Sequence, residues 1–359
     1  ANWSAGIPNV DNAKVTVDAD LIVDSNKTVG QIKNNNSTSA ASVTITATNN
    51  SVLTITGIGV TQPIQNNKKS SSLIFDLAVL FDSLGDTETL RFNTGGDETS
   101  GFASITFSSS LTLNDPLTVS GVNKNHDLNL DGSLLGSGDL ILGAKTQANF
   151  GASYNGSSYA GTLTTAGGGG NTNNQVTIIS NVSDDGTFLK SGGLLNVTKD
   201  GAKITVNGAN TLKGNIAVGD YNPTLTINKN QSAVGTITMG SGTLSLSLDG
   251  DVTSVAFADN SSSDWGTGSL VITDAANNEV SFGTDANGLT ESQLAQITLG
   301  GVTPVINSSG QLSTASVLIS TFTNAGGDNL WSNAANWSAG IPNVDNAKVT
   351  VDADLIVDS

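Results

Sequence analysis

The chain has no cysteine, one histidine (His126), one arginine (Arg91), one methionine (Met239) and six prolines in 359 residues. Without cysteine there is no disulfide frame and no thiolate to serve as nucleophile or metal ligand. One histidine leaves no multi-histidine metal centre, and no Ser-His or Cys-His nucleophilic unit away from His126. Cations are scarce too: 14 basic residues face 31 acidic ones, a formal net charge of −17. That balance argues against a nucleic-acid partner, whose phosphates call for clustered Lys and Arg, and against docking on an anionic membrane. No apolar run approaches the ~20 residues of a membrane helix, so direct membrane insertion is not expected.

What is there is glycine (41 residues) and an apolar fraction of 37%, with aromatics at only 5%. An apolar share of that size is too high for a disordered chain. Val, Ile and Leu dominate it, which favours many short strands. Charge of this sign keeps a chain soluble and self-repelling, and acidic turns can hold calcium.

Residues 335–359 repeat residues 1–25 letter for letter, an offset of 334. Chance identity over 25 positions is negligible, and such a period sets the architecture before anything else does. The expectation is a window on a tandem array, cut from something longer. It divides into an opening strand segment (1–25), a strand-rich body (26–255), a closing module with one helix (256–319), and a junction that starts the next period (320–359).

Residues 10–25 alternate apolar and polar, with Val15, Val17, Ala19, Leu21 and Val23 on one face, as in a half-buried strand. The same pattern recurs in pieces of four to six residues, among them 43–47, 104–107, 127–130, 139–142, 203–206, 224–227 and 243–248. Asp-Gly and Asn-Gly steps punctuate them, as at 131–132, 185–186, 200–201 and 207–208, and supply positive φ at turns or corners. The apolar run 72–84 reads as a short helix or two strands. Residues 289–299 read as the single helix, capped by Thr290 with Gln293 at capping-box spacing. Uneven strand spacing, many Asn and few aromatics favour a parallel β-helix with a small α+β closing module. The alternative is a set of β-sandwich modules.

Two segments carry a resemblance. DNLWSNAANWSAGIPNVDNAKVTV (328–351) is similar to the W-S-x-x-x-N-W-x-x-G-x-P opening of bacterial surface proteins of the autotransporter-associated β-strand-repeat type. Residues 257–301, with W-G-x-G-x-L, F-G-T and G-L-T-x-x-Q-L-x-x-I, resemble that family's closing segment. Together they cover under a quarter of the chain. The resemblance implies a secreted, β-helical surface protein and says nothing of enzymatic activity.

Candidate sites follow. Asp11, Asp18 and Asp20 near the repeat start, and Asp184, Asp185, Asp249 and Asp251 at turns, are the calcium candidates, although none fits an EF-hand loop. Turn-forming, solubilising aspartates are the plainer account of them. Trp3, Trp331, Trp337 and Pro342, with Trp265, are expected to form the joint between periods, where large rings plug one module against the next. Tyr154, Tyr159 and Tyr221 are a candidate sugar-stacking platform. His126 is expected at the surface, and Arg91 in a solvated loop with Asp86, Glu88, Asp97 and Glu98. The expected function is an extracellular structural fibre, stalk or giant adhesin. Its first partner would be neighbouring copies of the same repeat, and a carbohydrate- or calcium-binding module contacting surface polysaccharide is the alternative. No catalytic group and no obligate cofactor is expected.

Overall fold

A strand with one apolar face is unstable alone, and three to six residues are too few to build a sheet within a single turn of chain. Such strands become stable when each successive turn lies directly on the one before it, so that every backbone N–H and C=O pairs with its neighbour. The structure, a computed structural model, shows this arrangement. It describes residues 7–34, 42–58, 60, 62–66, 71–83, 88–92, 103–121, 126–166, 175–314, 319–342 and 348–358, with the backbone alone for Glu88, Arg91, Phe92, Ile319 and Lys348. The chain divides into two units, Ala1–Leu312 and Ser313–Ser359.

The first unit is a parallel β-helix. Strand accounts for 48% of the residues and helix for 3%, and the coil-to-coil strand pairings are parallel. A β-sandwich, built on antiparallel hairpins, does not fit. One face is a 12-stranded sheet running from Leu21–Val23 through Ser104–Phe107 and Lys203–Val206 to Ile297–Leu299. The other two faces meet in one strand. Lys27–Asn34 pairs through its first half with Val52–Ile55 and through its second half with Ile64–Asn66, so it turns a corner. Its burial pattern changes phase at that corner, where Val29 and Gly30 are buried in succession. From there one face passes through Ala78–Phe81 and Leu111–Leu113 to Leu134–Gly136, and the other through Leu117–Gly121 and Asn215–Val218 to Ile237–Met239. Coils of this kind stack at about 4.8 Å.

Inward side chains form columns. Val43, Leu73, Ile105, Leu128, Ala148, Ile178, Ile204, Leu225, Leu246, Ile272 and Leu299 follow one another in register up the 12-stranded face. Beside them runs a column with Phe75, Phe107, Leu130 and Phe150. Phe75 and Phe107 stack at 5.0 Å and 8°.

The corners explain the Asn and Asp content. Apart from Lys145, every described non-glycine residue with positive φ is Asn or Asp, the types that tolerate this region best. Corner side chains also tie coil to coil. Asn26 accepts from the Val52 amide, Asp139 from Thr162, Asp200 from Asn222 and Asn222 from Thr243, each at 2.8–3.0 Å. Asn228 donates to Asn207 and Asn207 to Asn181, both at 2.7 Å. One corner demands glycine: Gly136 has φ +90, and a Cβ there would lie 2.0 Å from the Leu113 carbonyl oxygen.

The run 72–84 forms two strands, Ser72–Asp76 and Ala78–Phe81. Residues 256–312, the helix-bearing closing segment, prolong the same sheets: Ser269–Thr273 lies on Thr243–Leu248, and Ile297–Leu299 on Ser269–Thr273. The helix is shorter than the sequence suggests, Glu291–Ala295, with the Thr290–Gln293 capping box in place. Gln293 is buried, and its amide donates to the carbonyls of Asn260 (2.7 Å) and Ser263 (2.8 Å).

The second unit pairs Ile319–Phe322 in parallel with Lys348–Val351.

Candidate functional site

The junction segment is the part of the second unit that the sequence singles out. Trp337 is buried, with its ring edge-on to Phe322 at 5.1 Å and to Trp331 at 4.7 Å. Its indole N–H donates to the Trp331 carbonyl at 2.8 Å. Asn336, fully buried, knots the loop before it: it accepts from the Gly326 amide (2.7 Å) and donates to Asp328 (2.6 Å) and to the Leu330 carbonyl (2.9 Å). The Asn336 amide, with Asn333 and the Leu330 N–H, holds the Asp328 carboxyl below the usual range. Ser320 donates to the Gly340 carbonyl at 2.9 Å, and Pro342 is buried. The W-S-x-x-x-N-W-x-x-G-x-P residues are thus knotted to one another and to Phe322, Ser320 and Ile356 of the same unit. Trp3 lies outside the described residues. Trp265 belongs to the first unit. It sits buried there, donating to the Ile237 carbonyl at 3.0 Å and edge-on to Phe282 at 6.1 Å.

The calcium candidates do not converge. Among the described residues no group of three or more His, Asp or Glu is placed to hold a metal ion. Their oxygens serve the chain instead. Asp20 accepts from the Thr44 amide, Asp184 from Ala209 (both 2.8 Å), Asp185 from the Asn210 side chain (2.9 Å) and Asp249 from Asp251 (3.3 Å). The Asp11 backbone carbonyl accepts from Thr56, and Asp18 is exposed. The two roles separate by substitution. Asp184→Asn keeps the acceptor and should be close to neutral, whereas Asp184→Ala should cost about 0.5–1.5 kcal/mol with or without calcium. Urea unfolding of both variants in chelator and in calcium checks this.

The sugar platform is corrected as well. Tyr154 and Tyr159 are buried in the coil. Tyr154 packs edge-on to Phe150 at 4.7 Å. The Tyr159 hydroxyl accepts from the Leu140 amide (2.8 Å) and donates to the Gly138 carbonyl (2.9 Å). Burial pushes both phenols up. Asp86, Asp97 and Glu98 lie outside the described residues.

His126 is not a surface residue. It is fully buried, its Nδ1 accepts from the Ala103 amide at 3.3 Å, and burial lowers its pKa from 6.5 to about 4. The folded-state value lies below the unfolded one, so the unfolded chain takes the proton first. Stability is fully present above about pH 6.5 and falls between there and pH 4, by up to about 3 kcal/mol. Urea unfolding across this window checks the loss, and His126→Leu should flatten it. An equal slope in both proteins would show that other groups carry it.

No family model, no curated protein and no solved structure matches the chain.

The corner Asn and Asp side chains accept from backbone amides of neighbouring coils. What the coils offer is strand edges and corner acceptors. The ladders of Asn and Asp between coils escaped the sequence reading, although the Asn abundance signals them: partners sit about one coil apart, as in Asp200–Asn222, at 22 residues.

Proposed function

We propose that the chain is a structural repeat of an extracellular bacterial fibre, stalk or tandem-repeat surface adhesin. The observation that carries this is the letter-for-letter return of residues 1–25 at 335–359 in a chain whose coils already stack on one another. A stacked coil needs only another coil to lengthen, so repetition of the sequence is an economical route to length. The W-S-x-x-x-N-W and G-L-T-x-x-Q-L segments add their resemblance to secreted surface proteins, and a net charge of −17 suits a solvated surface layer. Its first partner in this reading is the next copy of the same repeat. No helix among the described residues is long and apolar enough to cross a membrane.

The test is surface labelling of the organism that makes the protein. Antibodies raised against the purified chain should decorate intact cells, and external protease should remove the signal. Labelling that appears only after lysis would overturn the extracellular assignment.

A further inference from the structure

The two copies of the repeated segment share a sequence but not a neighbour. In the first copy, residues 14–17 pair in register with 31–34, and residues 21–23 with 45–47, both later in the chain. In the second copy, residues 348–351 pair in register with 319–322, and Ile356 bridges to Leu330, both earlier in the chain. Each copy therefore shows one side of the same coil.

The two sets of pairings use opposite edges of the strand. The N–H and C=O of Ile356 both bond backward, to the Asn329 carbonyl (2.7 Å) and the Trp331 amide (2.8 Å). Ile356 corresponds to Ile22. Its neighbour Val23 turns its carbonyl forward, to the Thr48 amide at 3.0 Å. In a parallel ladder alternate residues bond to opposite neighbours, so both sets can form on one strand at once. The registers also join without a shift: Ser320 lies opposite Val349, the equivalent of Val15, and Val15 opposite Ile32. Phe322 likewise lies opposite Val351, the equivalent of Val17, and Val17 opposite Asn34.

Side-chain exposure identifies what the second copy lacks. Val15, Val17 and Val23 are each 4% exposed, while Val349, Val351 and Val357 are 41%, 47% and 76% exposed. Ile22 and Ile356 are outward in both copies, at 64% and 53%. The loss of burial falls on the inward valines, and in the first copy the strands Lys27–Asn34 and Val43–Ala47 pair beside them.

We propose that residues 348–357 form a docking edge for the strands 27–34 and 43–47 of a following copy of the repeat. The strand would then pair backward with residues 319–322 and forward with the following copy, so that one coil belongs to both periods. This goes beyond the surface-fibre reading: it concerns only how copies meet, and an intracellular location would leave it intact.

The absence of cysteine makes the test clean. Val349→Cys is placed in the 359-residue chain and in a chain extended beyond Ser359 by a second copy of residues 26–359. Maleimide should label the thiol at least tenfold more slowly in the extended chain, and Val15→Cys should be slow in both. Amide hydrogen exchange over 348–357, measured on the unsubstituted proteins, should slow in parallel, so a cysteine that disturbs packing cannot decide the result. Equal labelling rates, or equal exchange in the two unsubstituted chains, would overturn the proposal.

Discussion

Phe107→Ala should destabilise the coils around it by about 3–5 kcal/mol, the range for removing a buried aromatic ring. Phe107 is 1% exposed and lies between Phe75, stacked on it at 5.0 Å, and Leu130, opposite it in register. Both neighbours belong to strands pinned to Ser104–Phe107 by parallel pairing on either side. They cannot close on the vacated volume without breaking that register, so the cavity persists and the cost stays near the top of the range. Phe107→Leu keeps most of the volume and should cost under about 1.5 kcal/mol. A coil touches chiefly the coils above and below it, so the loss should be local. Hydrogen exchange should accelerate in Ser72–Asp76, Ser104–Phe107 and His126–Leu130 before it does in Thr243–Leu248. Uniform acceleration, or a cost below 1 kcal/mol, would mean that the column does not act as a stack.

Much of this fold is legible in the sequence. The strands Val43–Ala47, Ser104–Phe107, Lys203–Val206, Thr224–Ile227 and Thr243–Leu248 fall where the alternation puts them. The three faces are harder to read, because spacing alone does not say whether two strands share a coil. Leu128 and Leu140, twelve residues apart, lie on different faces of one turn, whereas Ile204 and Leu225 are true neighbours on one face. The alternation over 10–25 hides a corner: the strand stops at Val17 and restarts at Leu21, and the intervening Asp20 accepts from the next coil at Thr44. The helix reading over-ran for a tertiary reason. Ile297–Leu299 has a helix-compatible apolar pattern, but Leu270, Val271 and Ile272 offer it an open sheet edge, and ladder pairing there outweighs a weak local propensity. Burial of His126 could not be read, since a polar residue in an alternating strand looks the same whichever face points inward, and Tyr154 and Tyr159 lie in the turns between Thr146–Phe150 and Thr162–Thr165, where no alternation marks a face. Trp265, Trp331 and Trp337 were legible as packed residues, though not their separation into Trp265 within the first unit and Trp331 with Trp337 in the second.

Trp337→Ala should unfold the second unit or come close to it, at a cost of about 3–5 kcal/mol. The unit is small, residues 313–359, and its fully described buried apolar side chains include Phe322 and Trp337, which touch each other. A unit of this size has little other burial to fall back on. The ring contributes twice, through apolar area and through its N–H bond to Trp331, and two conservative variants separate the parts. Trp337→Phe keeps an aromatic face against Phe322 but orphans the Trp331 carbonyl, which should cost roughly 1–2 kcal/mol. Trp331→Ala removes a ring that is only partly buried but leaves its backbone carbonyl in place, so it should cost less than Trp337→Ala. Asn336→Ala tests the same knot from the polar side. It strips acceptor and donor from Gly326, Asp328 and Leu330 together, and the Asp328 carboxyl should return toward its ordinary range, because the Asn336 amide is the first cause of its depression. Hydrogen exchange over 319–322 and 348–351 reads the loss directly, since these strands pair with each other. If exchange there were unchanged in Trp337→Ala, the pairing of 319–322 with 348–351 would hold through the backbone alone, without the ring.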